Sequence, residues 1–293
     1  MRAPAALALL GCFAACTPSF ESVSEVRDLR VLAISAEPPE AFVDQSTLTV
    51  QTVRVRVLVA DPVVRAGVDA TAALCFPSDN RLCSDQKLDL PGQYGDLGEL
   101  DFEVKASPTL SVLIVGALQD DKLKGLGGIR VQFSARLADG DPHGSIDASK
   151  TLLYSSVPPD KANHTPRIAT LQILRANGST EQLLEGQTLS LDRFEEVGLR
   201  PVLGAGPEGA ESYTTTDLAG HSVDLTELPA YSFFTTLGAE YDRDTATEPV
   251  ATQSPGFGLT RFRSLKAGSG QLWVVVRDGR GGESWLSAGW TSN

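Results

Sequence analysis

The sequence predicts an all-β chain built as two similar β domains in tandem, and three observations lead there. Gln51 to Ala60 alternates, with Val53, Val55, Val57 and Val59 on one face and Arg54 and Arg56 on the other, the period-two mark of a half-buried strand. Helical periodicity is sparse along the whole chain. Finally, Val43-Asp44-Gln45-Ser46-Thr47-Leu48-Thr49-Val50 and Leu184-Glu185-Gly186-Gln187-Thr188-Leu189-Ser190-Leu191 match in kind: aliphatic, acid, two small or polar residues, Thr-Leu, hydroxyl, aliphatic. Each lies shortly after an opening strand, Leu29 to Ala36 and Arg167 to Leu174. The 293 residues suit about two domains. A content of 42% hydrophobic and 21% charged residues is that of globular domains, not of a disordered tail or an integral membrane protein.

The first segment is not a strand. Arg2, the apolar run Ala5 to Ala15, and small residues before Cys16 have the layout of a secretory signal peptide, too short to span a bilayer. Phe13-Ala14-Ala15-Cys16 resembles the lipobox of bacterial lipoproteins, and Leu9-Leu10-Gly11-Cys12 also resembles one. That resemblance implies cleavage before Cys16, or alternatively Cys12, with the thiol lipidated and the protein anchored in the cell envelope. Several acyl chains hold a protein on a membrane stably where one does not. Thr17, not Asp, follows Cys16; under the retention rule known from some bacteria, this favours the outer membrane. Thr17 to Arg27 is polar and Ser-rich, the composition of a flexible tether.

Strands then follow in order. Asp61-Pro62 ends the Val-rich strand, because proline cannot donate to a ladder. Cys75 and Cys83 enclose seven residues, among them the turn formers Pro77, Asp79 and Asn80. In an exported protein this pair is expected to be oxidised, stabilising the fold by about 2 to 3 kcal/mol. Zinc would need more ligands at close spacing, and His143, His164 and His221 lie far away in sequence. Leu110 to Leu118, nearly all apolar, is expected to be a strand buried on both faces. Ile129, Val131, Phe133, Ala135 and Leu137 alternate again, and Asp139-Gly140 supplies a turn. The prolines and polar residues of Val157 to Pro166 read as an exposed linker. Beyond it, Gln182 to Gly198 has room for a short helical turn, although Gly186 and Thr188 oppose anything long.

In the second half, Leu184 to Leu191 resembles the turn and second strand of immunoglobulin-like modules of the polycystic-kidney-disease type. Leu272 to Trp285, a strand, an Asp-Gly and Gly-Gly turn and a closing strand, resembles their final hairpin. Leu29 to Glu40 followed by a Val-rich strand also resembles uncharacterised lipoproteins of myxobacteria. The resemblance implies two immunoglobulin-like β-sandwiches. The expected order is signal peptide 1–15, lipidated tether 16–27, first sandwich 28–157, linker 158–166 and second sandwich 167–293. The first sandwich departs from the pattern through the Cys75 to Cys83 loop and through Asp139 to Lys150, read as an insertion.

Charge and chemistry narrow the function. A net charge of −12, with basic residues scattered as Arg54 and Arg56, Arg261 and Arg263, and Arg277 and Arg280, argues against nucleic acid as a partner. No nucleophile elbow is present: Gly268-Ser269-Gly270 and Gly220-His221-Ser222 lack the Gly-x-Ser-x-Gly frame. No catalytic residue and no cofactor is expected. Acid pairs such as Asp120 with Asp121 read as solvated. Asp139, Asp141, Asp242 and Asp244 place oxygen ligands two apart and are weak calcium candidates, without the EF-hand spacing. Trp273 is expected to be buried, and Trp290, near the end, to be the more exposed. The expected role is a non-catalytic binding or scaffold module with an envelope protein or polysaccharide as partner. Phe76 and Arg81 in one loop, and Asp139, Asp141 and His143 in the other, form the candidate contact surface. The alternatives are an envelope hydrolase or carbohydrate-processing enzyme with a site assembled from loop carboxylates, and a purely structural spacer.

Overall fold

The computed structural model describes residues 23–62, 67–77, 82–83, 87–95, 98–122, 124–138, 144–217, 219–247 and 258–293. In chain order the first part contains β1 (Glu25–Val26), β2 (Arg30–Glu37), β3 (Glu40–Asp44), β4 (Thr49–Val50), β5 (Val53–Ala60), β6 (Val68–Cys75), β7 (Leu88–Gly95) and β8 (Gly98–Val104). Then come α1 (Pro108–Asp120), β9 (Ile129–Ala138) and β10 (Ser145–Ser155). The second part contains β11 (Ile168–Leu174), β12 (Thr180–Leu183), β13 (Thr188–Leu191), β14 (Glu196–Leu203), β15 (Ser212–Thr216) and β16 (Ser222–Thr226). It ends with β17 (Ala230–Thr236), β18 (Ala239–Tyr241), β19 (Thr245–Thr247), β20 (Thr260–Ser264), β21 (Gly268–Arg277) and β22 (Glu283–Ser292). Among the described residues no helix is long and apolar enough to cross a membrane.

The fold is all-β, two β-sandwiches, and the sheets stack in four layers. The outermost layer, β4-β3-β10-β9-β6-β7, faces β2-β5-β8 across a core that includes Val55, Phe102, Leu110, Phe133 and Tyr154. On the other side, β1-β17-β21-β22-β13, with β19 on β17, faces β12-β11-β14-β20-β18 across a core that includes Leu199, Phe233, Phe262, Val274 and Trp290. The two middle sheets bury their remaining faces against each other. Leu32, Ala33, Leu58 and Ala60 of one meet Val26, Phe234, Trp273 and Val275 of the other. Alternation along β21 shows how: Leu272, Val274 and Val276 point into their own core while Trp273 and Val275 point to the neighbouring sandwich. β5 therefore has a wet face only around Arg54; beyond it, Leu58 and Ala60 are buried at the seam.

Each sandwich closes with an early strand running parallel to its last one, β3 along β10 and β13 along β22. The sequence match between the halves locates this feature but not its register. In the first half the parallel strand precedes the matched turn, and in the second it follows.

Five expectations need correction. Leu110 to Leu118 lies in a helix: Ser107 caps it by accepting the Leu110 N–H at 3.1 Å, Pro108 opens its first turn, and Leu110, Leu113, Ile114 and Ala117 form its buried stripe. The apolar residues on its outer face masked that period. Gln182 to Gly198 holds strands and turns with no helical turn. The 145–150 stretch is no insertion; β10 pairs with β9 from Ser145↔Ala138 to Tyr154↔Ile129 as a long hairpin. The end of the tether is docked: β1 runs parallel to β17, Thr235 donates its N–H to the Ser24 carbonyl at 2.8 Å, and Val26 is fully buried. The linker, finally, is buried from Ala162 onward apart from His164 and has a structural role of its own.

Candidate functional site at the junction of the sandwiches

The segment 162–166 forms a clasp, because its backbone crosses where acids from both sandwiches need donors. Asn163 donates its N–H to Glu40 Oε2 at 2.9 Å and its side-chain amide to Asp278 Oδ2 at 2.8 Å. The His164 N–H donates to Glu211 Oε2 at 3.1 Å, and His164 Nδ1 lies 2.8 Å from Glu211 Oε1. The Thr165 hydroxyl donates to Glu37 Oε2 at 2.9 Å, and the Ser284 hydroxyl to the Pro166 carbonyl at 2.5 Å.

Arg280 sits at the centre. It belongs to the tight loop between β21 and β22, where Gly279 (φ 82°) and Gly281 (φ 114°) take the left-handed conformations that bring the chain round. Asp278 shapes the loop by accepting the Arg280 and Gly282 N–H groups at 2.6 and 3.0 Å. The Arg280 guanidinium stands 3.0 Å from Glu227, 3.6 Å from Glu40 and 3.8 Å from Glu211, with its carbon 3.9 Å above the Tyr213 ring. Burial pushes the Glu227 and Asp278 carboxyls up from their ordinary values, each further opposed by hydrogen bonds and by Arg280. A second knot lies alongside: Glu283 of the second sandwich takes Lys150 of the first at 2.9 Å and Arg277 at 2.6 Å. At the far end Trp285 donates to Glu99 at 2.9 Å, and Arg56 stacks over the same ring at 5.1 Å.

Among the described residues, two of the concavities along the junction are large. One, of about 1000 Å3, runs between β10, the turn Gly125–Gly128, the hairpin β15–β16 and Arg280. The other, of about 930 Å3, is bounded by Leu58, Glu99, Gln271 and Trp273. Near the second, burial and the charge of Glu99 raise the Glu185 carboxyl, while the Ser287 N–H bonded to it lowers it. Glu99 and Glu185 are each engaged by a donor, Trp285 and Ser287 respectively.

The residues singled out from the sequence are distributed differently. Cys75 and Cys83 form the disulfide, with Cα atoms 5.5 Å apart. Phe76 is half-buried packing, not a free contact residue: a Cβ on Gly116 of α1 would lie 2.6 Å from its ring. Asp242 accepts from the Thr260 hydroxyl and the Arg261 N–H at 2.9 and 2.7 Å, and Asp244 gives its carbonyl to the Phe233 N–H. Among the described residues no group of three or more His, Cys, Asp or Glu is placed to hold a metal. Cys12, Cys16, Arg81, Asp139, Asp141 and His143 lie outside the described residues. Trp273 is buried as expected, but Trp290 is 1% exposed and Trp285 is the half-buried one. Trp290 fills the space over Gly270, its strand partner. The junction residues from Glu40 to Arg280 escaped sequence reading because they come from five separate segments and share no spacing.

No protein-family model matches the sequence, and no curated protein does. Among solved structures the chain is similar to a red sea bream transglutaminase, at 12% identity and a TM-score of 0.27 over 92% of this chain and 32% of that one. It is also similar to fibronectin(III)-like modules of Clostridium thermocellum CbhA, at 5% identity and 0.24 over 89% and 94% of the two chains. A third is the E. coli alpha-2-macroglobulin, at 8% and 0.24 over 92% and 16%. The chain thus spans about a third of the transglutaminase.

Proposed function

We propose that this chain is a non-catalytic binding or scaffold module of the bacterial cell envelope, lipidated at Cys16 or alternatively Cys12 and displayed from the outer membrane. The sandwiches, assigned to 28–157 and 167–293, act as one stiff body. The observation that carries the reading is the junction, where the segment 162–166, Arg280 and the middle-sheet seam fasten one sandwich to the other. Rigidity of this kind suits a platform that presents its loops and clefts at a set geometry. The end of the tether supports the same reading, since β1, a strand of the second sandwich, begins at Glu25, close in sequence to Cys16.

Metabolic palmitate labelling tests the anchor. Label is expected in the wild type, retained in one of Cys16→Ser and Cys12→Ser and lost in the other, with the protein in the outer-membrane fraction. An unlabelled protein recovered from the cytosol overturns the proposal. Crosslinking in intact cells with mass spectrometry then identifies the neighbour, and recovery of no envelope partner under any condition favours the spacer alternative.

A further inference from the structure

The basic pairs most visible in the sequence are spent: Arg54, Arg56, Arg261, Arg263, Arg277 and Arg280 each face a carboxylate. Arg130 and Lys161 differ. Both are exposed, both line the cleft of about 1000 Å3, and among the described residues neither has a carboxylate partner. Arg130 makes only a 3.4 Å contact to the Gly128 carbonyl. Of the acids near them, Glu40 is turned to Arg280 and the Asn163 N–H, and Asp121 accepts the Gly125 N–H at 2.7 Å. Asp120 and Asp160 are exposed, and neither lines the cleft. In a chain of net charge −12, two exposed cations without a carboxylate partner among the described residues line one cleft.

We infer that the cleft binds an anionic saccharide, a sugar chain carrying carboxylate groups, which deepens the binding-module reading by giving it a site and a ligand class. Arg130 and Lys161 both line the cleft and can donate charge-assisted hydrogen bonds to a carboxylate, stronger than neutral ones. The exposed hydroxyls of Thr151, Ser156 and Thr215 offer both donors and acceptors to sugar hydroxyls. Arg280, clamped between its carboxylates and Tyr213, forms a rigid floor, and a cleft of this size lies at the upper end of the range for small-ligand sites.

The test is calorimetric titration of the purified protein in mild detergent with oligogalacturonate, and with neutral maltooligosaccharide as the control. Expected are binding of the uronate alone, a loss of affinity of about tenfold or more in Arg130→Ala/Lys161→Ala, and weakening with added salt. Lys87→Ala, a surface cation paired elsewhere, is expected to bind as wild type. Both cations are exposed, so the double variant should fold, and an unchanged Tm confirms it. No binding of the uronate, equal binding of the neutral sugar, or full affinity in the double variant overturns the inference. Its failure is separable from that of the envelope reading, because palmitate labelling does not depend on binding.

Discussion

The two sandwiches are held together twice, by an apolar seam and by a knot of charges, and the two contacts act differently. At the seam Leu58, Ala60, Phe234, Trp273 and Val275 remove apolar surface from water, a favourable and largely non-directional contribution of about 1.5 to 3 kcal/mol per large side chain. At the knot one guanidinium faces three carboxylates, and the raised Glu227 and Asp278 carboxyls show that keeping these acids ionised there is costly. Buried ion pairs often contribute little net stability, but the loss of one partner is severe. The seam therefore supplies the adhesion, and the knot sets the one angle and register at which all its donors are satisfied.

The largest effect is expected from breaking the knot on one side. Arg280→Ala leaves Glu40, Glu211 and Glu227 without their cation and should cost about 3 to 5 kcal/mol in denaturant unfolding. The deficit should shrink on acidification. Groups with raised folded-state values bind protons before the unfolded chain does, so Glu227 and Asp278 make stability rise as pH falls from neutral toward their ordinary 4.5 and 3.8. Asp44 works the other way. Its carboxyl, held near 2 by Ser46 and Thr47, contributes stability that is lost only as pH drops below 3.8. A wild-type melting profile that falls steadily from pH 7 to 5 would contradict the assignment.

Trp273→Ala attacks the seam instead and should cost about 3 kcal/mol through lost burial and an unfilled cavity. Its deficit should not depend on pH, and this contrast with Arg280→Ala separates the two contacts. Removing the disulfide through Cys75→Ala/Cys83→Ala touches neither contact and should cost about 2 to 3 kcal/mol. A smaller loss, about 1.5 kcal/mol, is expected from Val26→Ala, which thins the docked end of the tether. Hydrogen exchange should then show faster opening at Thr235, whose N–H bonds to Ser24. Smallest is Arg54→Ala, which removes an exposed pair with Asp101 and should change stability by no more than about 1 kcal/mol.

Period-two segments were legible because a strand with a buried face must alternate, as β5 and β9 do, and the Asp-Gly and Gly-Gly hairpin because only certain residues turn so tightly. The cysteine pair was legible from its spacing, its turn-forming residues and the expected export of the chain. The helix α1 was not, because its outward Val112 and Val115 hide the helical stripe, although Ser107-Pro108 marked its start. The candidate site was not legible either. Nothing local distinguishes Arg130 from Arg261 until it is known which of them faces a carboxylate.

The amino-acid sequence by itself determined that this chain is all-β and doubled, with a disulfide loop and a glycine-turned hairpin at its end. Those features follow from local sterics and from which side chains leave water. Only the tertiary structure decided that the halves stack face to face, that a proline-rich stretch closes into a clasp, and which cations among the described residues face a carboxylate. These depend on distances between residues far apart in the chain, and no local pattern encodes such distances.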